Sequence, residues 1–141
     1  MQIRLWIPGD PIPQRRPRAC AMRVGSTVRA RVYSDQDKEQ DAYRMAIISR
    51  LPVGWSAIQG PVALDCRFYF AVPRSAPKKK QAVMIAGEVF HTVKPDGSNL
   101  LKFLEDAANG VLWRDDRQIV RAGWCKAYGT VAGTEIVVAE V

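Results

Sequence analysis

Apolar and polar positions along the chain recur with two different periods, and these mark out its elements. Ile3-Arg4-Leu5-Trp6-Ile7 reads as a strand. It runs into Pro8-Gly9-Asp10-Pro11-Ile12-Pro13, which is loop because proline cannot donate to a strand ladder. An arginine-rich stretch follows and suits an irregular hairpin ending near Val32-Tyr33. Ser34, with Asp37 three residues on, has the pattern of a helix N-cap, and the segment to about Leu51 is predicted helical. Tyr43, Ala46 and Ile47 share one face of that helix, and Pro52-Val53-Gly54 ends it. Val62 to Val72 is the clearest strand. Val62, Leu64, Cys66, Phe68, Phe70 and Val72 point one way, and Asp65, Arg67 and Tyr69 the other.

The stretch from Pro73 to about Lys94 is a basic connection with a short helix predicted near residues 80–86. A second main helix is expected from near Ser98 to Gly110, a suitable C′ glycine. Leu100, Leu104, Ala107, Ala108 and Val111 make its buried face. Gln118 to Ala127 and Thr134 to Val141 read as two strands joined by a Gly-rich turn. The expected fold is α+β: one domain over residues 1–141, with a mixed sheet of four or five strands and two main helices.

Length and composition narrow the class. With 141 residues and 48% hydrophobic content, the chain suits one globular domain. No run approaches the roughly 18 apolar residues of a membrane span, and the first residues have no stretch suited to a secretory signal. Cys20, Cys66 and Cys125 stand far apart without a CxxC pair, which argues against a disulfide-stapled fold. They are expected to serve as small core hydrophobes. A single histidine, His91, leaves a structural zinc site and a Ser-His-Asp triad poorly supported, and His91 is read as a polar loop residue. Trp6, Trp55, Trp113 and Trp124 are read as core rather than as stacking platforms. No Gly-rich phosphate loop is present. A cytoplasmic domain is the expectation.

Charge sharpens the picture. Lys and Arg total 21 against 14 Asp and Glu, a net +7, and two-thirds of the basic residues are arginine, whose planar fork suits phosphate. Between Gln14 and Arg31 lie Arg15, Arg16, Arg18, Arg23, Arg29 and Arg31 and no acid. Lys78, Lys79 and Lys80 form a second cluster. Such an excess favours a polyanionic partner over a mere solubility surface. Asp96, Glu105, Asp106, Asp115 and Asp116 form an acidic island in this basic protein.

On the second helix, Asn99, Lys102, Asp106 and Asn109 fall within an arc of about 80°. Asp96 lies in the loop entering it, and Asp115-Asp116 in the turn after Val111-Leu112-Trp113. If the chain doubles back, Asp96 and Asp116 converge near Lys102, an arrangement suited to Mg²⁺ or Mn²⁺ and attack on phosphate. Simpler readings stand beside this one. Asp96-Gly97 is also an ordinary turn pattern, Lys102 and Asp106 are also a surface pair at i,i+4, and Asp115-Asp116 is also a polar turn.

Lys94-Pro95-Asp96-Gly97-Ser98-Asn99-Leu100-Leu101-Lys102, with Asp106-Ala107, Asn109-Gly110 and Trp113-Arg114-Asp115-Asp116-Arg117-Gln118-Ile119, resembles the signature of RusA-type Holliday junction resolvases, approximately KPDxDNLxK…D…NG…WxDDxQI. Ile7-Pro8-Gly9-Asp10-Pro11-Ile12-Pro13-Gln14-Arg15-Arg16-Pro17-Arg18 is similar to the opening of its phage-type members. Pro73-Arg74-Ser75, Lys126-Ala127-Tyr128 and Ile136-Val137-Val138 also fit.

The resemblance implies a homodimeric, Mg²⁺-dependent endodeoxyribonuclease, with Mn²⁺ able to substitute. It would resolve four-way DNA junctions in recombination and repair by paired nicks that leave 5′-phosphate and 3′-hydroxyl ends. Its setting would be a bacterial cytoplasm, with a phage or prophage origin. Asp96 and Asp116 take the metal-binding positions and Lys102 the catalytic lysine. Arg15, Arg16, Arg18, Lys78, Lys79, Lys80, Lys94 and Asn99 are the candidate DNA contacts. Ser98 stands where the family has a second metal-binding aspartate, a neutral and weak ligand that is also a suitable helix cap. Asp106 or Asp115 could make up the charge. The competing readings are a branched-DNA-binding member with weakened cleavage, and a basic RNA-binding or assembly protein.

Overall fold

The computed structural model describes residues 1–16, 18–33 and 35–141, and of Arg18, Val32 and Tyr33 the backbone alone. A four-stranded mixed sheet carries the domain, built from β1 (Gln2–Pro8), β4 (Val62–Ala71), β5 (Ile119–Gly129) and β6 (Gly133–Glu140) in the order β1-β6-β4-β5. β6 runs antiparallel to β1 and β4, and β5 runs parallel to β4 along one edge. β2 (Arg18–Val24) and β3 (Thr27–Tyr33) form a separate antiparallel ribbon. Among the described residues three helices complete the fold: α1 (Asp37–Ile48), α2 (Lys78–Ile85) and α3 (Gly97–Ala108). No helix among the described residues is long and apolar enough to cross a membrane.

Strand alternation decides which face is covered. Leu5 and Ile7, Leu64, Cys66 and Phe68, and Thr134, Ile136 and Val138 are buried on the helix-bearing face. Arg4, Arg67 and Glu135 lie on the other, where Glu135 sits 3.6 Å from Arg4 and 3.9 Å from Arg67. Because β4 and β5 are parallel, the chain must cross over between them, and that crossover holds α2 and α3. α3 buries Leu100, Phe103, Leu104, Ala107 and Ala108. α1 buries Tyr43 and Ile47 beside it, with the Tyr43 and Phe103 rings edge to face at 5.5 Å. The Tyr43 hydroxyl bonds to Thr134, so neither buried polar group is left orphaned.

Several expectations need correction. The N-cap of α1 is Gln36, and the expected cap, Ser34, lies outside the described residues. Ser98 does not cap α3. Asp96 holds that position through its backbone, its side chain making no capping bond. His91 does lie in a loop but is buried there, stacked on Phe70 with ring centroids 3.8 Å apart. Burial, then the charge of Lys126, pushes its pKa down. Of the cysteines only Cys66 is fully buried, and Cys20 is exposed on the ribbon. Trp113 is core, whereas Trp6 and Trp124 are 40% and 45% exposed.

Candidate active site

Two tethers frame the polar side of α3. The first comes from β5. Its inward positions opposite Cys66, Phe68 and Phe70 of β4 are Trp124, Lys126 and Tyr128, an unusually polar lining for a strand facing helices. The Lys126 ammonium donates to the carbonyl oxygens of Val93 at 2.6 Å and Pro95 at 2.7 Å. These bonds fasten the loop that delivers Asp96 to the start of α3. Gly97 lies against the Trp124 ring, so closely that a Cβ would overlap the indole. The glycine is thus required by packing, since its backbone is ordinary helix. Asp96 and Ser98 line a surface depression with Phe90, Trp124 and Lys126. Asp96 also borders a second one with Gln14, Lys94 and Asn99.

The second tether holds the Asp115-Asp116 turn. Trp113 is fully buried, and its indole N–H donates to Asp116 Oδ1 at 2.7 Å. Gln118 locks the same turn. Its amide NH₂ donates to the carbonyls of Ile58 and Gly60, both at 2.8 Å, and its amide oxygen accepts from Asp115 N–H at 2.6 Å. Asp115 caps the single 3-10 turn Asp116–Gln118, accepting from the backbone N–H of Arg117 at 2.9 Å. That bond, then the Arg117 side chain, holds the Asp115 carboxyl below the usual range. Asp115 is therefore occupied in shaping the turn.

The charge of Asp116 reaches the middle of α3. Burial, then the charge of Asp116, raises the pKa of Glu105, which is half-buried. Lys102 donates to Asp106 Oδ1 at 3.2 Å, the simple i,i+4 pair. That bond, then the charges of Asp106, Glu105 and Asp116, raises its pKa and keeps it cationic. Asp96 is not among the groups acting on Lys102. Lys102 and Glu105 thus feel the charge of Asp116, whereas Asp96 and Ser98 stand at the helix start. Glu105 was missed as a site residue in the sequence, although α3 numbering places Ser98, Lys102 and Glu105 on one face at i, i+4 and i+7. Arg44 was missed too. It reaches from α1 to the carbonyls of Asp106 and Ala107 at 3.0 and 2.9 Å, closing the C-terminal end of α3.

The candidate nucleic-acid contacts are dispersed. Arg15 pairs with Glu39 at 2.7 Å and Asp35 at 3.4 Å, which neutralises much of its charge. Arg16 and Lys94 are exposed, and the side chain of Arg18 lies outside the described residues. Lys78, Lys79 and Lys80 make the exposed first turn of α2, where the helix dipole adds to their positive potential. Asn99 is exposed, and its carbonyl accepts from Gln14 N–H at 3.0 Å.

The sequence matches the family described as Endodeoxyribonuclease RusA over residues 8–139. The chain belongs to this family. It is also 29% identical over 143 residues to the uncharacterized protein YqaN of Bacillus subtilis (strain 168), across 99% of this chain and 96% of that protein. Within the RusA-family domain, Asp96, Ser98 and Lys102 fall on the loop and first turns of α3, and Asp116 on the turn locked by Trp113 and Gln118. Among the described residues no three His, Cys, Asp or Glu side chains are placed together to hold a metal ion. The donors around Lys102 are nevertheless all hard oxygens, and two of them, Glu105 and Asp116, bear on one another electrostatically. Such a donor set fits a small divalent cation and suits softer metals poorly.

Proposed function

We propose that this RusA-family protein is a divalent-metal-dependent endonuclease that resolves four-way DNA junctions by paired nicks, acting as a homodimer in a bacterial cytoplasm. The observation that carries the reading is Asp116, anchored by Trp113, whose charge acts on the cationic Lys102 of α3. Asp96 and Asp116 would hold Mg²⁺ or Mn²⁺. When bound, the ion would supply Lewis-acid polarisation of a phosphate oxygen and lower the pKa of a coordinated water.

The chain's own groups do the rest. Lys102 brings a fixed positive charge to the phosphate, whose negative charge grows as the phosphodiester is attacked. Asp106 holds that ammonium in place. Basic side chains of α2 and the N-terminal segment would bind arms through their backbones, which selects shape over sequence. A two-fold dimer would present equivalent sites to equivalent strands of a junction.

Ser98 favours a second reading, a branched-DNA binder with weakened cleavage, because it removes one negative charge from the α3 face. Glu105 argues for activity. It returns a carboxylate to that face two turns along, under the influence of the charge of Asp116. The test is a labelled four-way junction with and without Mg²⁺. Symmetric nicks abolished by EDTA and by Asp116→Asn, with junction binding retained, are the expected result. Nicking by Asp116→Asn at the wild-type rate would refute the assignment. Glu105→Gln should raise the Mg²⁺ concentration needed for nicking, and adding Ser98→Asp should lower it again. If Glu105→Gln has no effect and Ser98→Asp alone creates the activity, the weakened-cleavage reading is correct.

A further inference from the structure

The β2–β3 ribbon takes no part in the core. Among the described residues its strands pair only with each other, and every described side chain from Ala19 to Arg31 is exposed. Gly25 takes φ +64° at the first position of a two-residue turn, the glycine-first pattern of a tight hairpin. The cross-strand pairs Cys20–Arg31, Met22–Arg29 and Val24–Thr27 share one face, and Ala21–Ala30 and Arg23–Val28 the other. Among the described residues no acid pairs with Arg23, Arg29 or Arg31, and the sequence offers none between Gln14 and Arg31. A two-stranded ribbon with solvent on both faces is marginally stable in water, and uncompensated charge weakens it further.

Its root, by contrast, is firmly placed. Gln14 N–H donates to the Asn99 carbonyl of α3, tying the incoming leg to the start of the candidate active site. Gln36, just past the outgoing leg, accepts from Arg15 N–H at 2.6 Å and donates to the Pro13 carbonyl at 2.9 Å. Strands of seven residues reach roughly 23 Å from that root.

We propose that this ribbon lies along a duplex DNA arm leaving the active site, with Arg29 and Arg31 on its phosphates and Arg23 reaching the adjacent backbone. The inference rests on the nuclease reading and adds to it the surface that holds the arm. Charge selects the occupant. A second copy of the ribbon would bring like charges together, whereas a polyanion neutralises them and orders the strands. A two-stranded ribbon also fits the major groove in width.

The test compares the full-length wild type with the Arg23→Ala/Arg29→Ala/Arg31→Ala variant. Binding to four-way junction, linear DNA duplex and RNA duplex is measured in EDTA, so that cleavage does not intervene. Three lost phosphate contacts should lower the slope of log affinity against log salt by about 2.7. Between about 50 and 200 mM salt the wild type should then lose about 40-fold more affinity than the variant. Thermal melting should be unchanged, because these side chains touch no core residue. Equal slopes and affinities for wild type and variant would overturn the ribbon assignment alone. So would a loss confined to RNA, or a change in oligomeric state without a change in DNA binding. A wild type that binds neither junction nor duplex would overturn the nuclease reading and this one with it.

Discussion

Trp113→Phe isolates the hydrogen bond that aims Asp116. The indole N–H to Asp116 Oδ1 bond is 2.7 Å long, and the ring is fully buried. Hydrogen bonds to charged groups contribute about 1.5–3 kcal/mol. If Asp116 is useful only in that orientation, single-turnover nicking should fall about 10- to 150-fold at about 1.36 kcal/mol per decade, and half-maximal nicking should need more Mg²⁺. Phenylalanine keeps most of the burial but leaves a small void, which lowers folding stability by a further ~1–3 kcal/mol. A stability cycle with Asp116→Ala separates the two effects. In urea denaturation the coupling between positions 113 and 116 should be about 1.5–3 kcal/mol, since the cavity cost is common to both backgrounds. Coupling below about 0.5 kcal/mol, with nicking and Mg²⁺ response unchanged, would show that Trp113 is core alone.

Three further outcomes are expected. Gly97→Ala should lower stability by about 1–3 kcal/mol, because overlap with Trp124 outweighs the roughly 0.5–1 kcal/mol that alanine adds to a helix. Adding Trp124→Ala should reverse part of that loss in thermal melts. Glu105→Gln should leave the metal-free protein more stable at neutral pH. A carboxyl whose folded pKa is raised binds more protons when folded, so stability is present below its unfolded pKa and is lost as pH rises through the folded one. The melting advantage should therefore vanish in acid, and an advantage independent of pH would contradict the assignment. Lys126→Met removes two bonds to the loop before Asp96 and should slow nicking more than it weakens junction binding, read as rate against affinity.

The fold was largely legible because its elements keep strict periods. β4 alternates as its sequence does, and α3 buries Leu100, Leu104, Ala107 and Ala108 as expected, with Phe103 added, whereas Val111 falls beyond the helix end and is half-buried. Boundaries moved by a few residues where capping differs from the obvious choice. Gln36 ends up bonded to Pro13 and Arg15, and Ser98 sits inside the helix. The RusA signature is confined to a few stretches of chain, and spacing alone left two features of the structure unseen. Glu105 comes under the charge of Asp116 only once the fold brings the turn at Asp116 back toward α3. Lys126 looks like an ordinary strand residue until β5 is known to run parallel to β4 with that position facing the helix layer. Both depend on pairings distant in sequence, which a single chain's periodicity does not carry.

Asp96 and Asp116 are held by different parts of the molecule, and α3 is what they share. The Asp96 loop is fixed to β5 through Lys126, and the Asp116 turn to Trp113, Gln118 and residues 58–60. Between them α3 is seated by Leu100, Phe103, Leu104 and Ala107, so the core sets the rotation at which Lys102 and Glu105 face the turn. Core precision and site geometry are therefore one property in this protein. Ser98 shows the reverse independence. It is exposed, caps nothing and packs against none of the buried face. Exchanging an aspartate for serine there leaves the folding forces untouched while changing the charge available for chemistry, so such a substitution can accumulate without loss of fold.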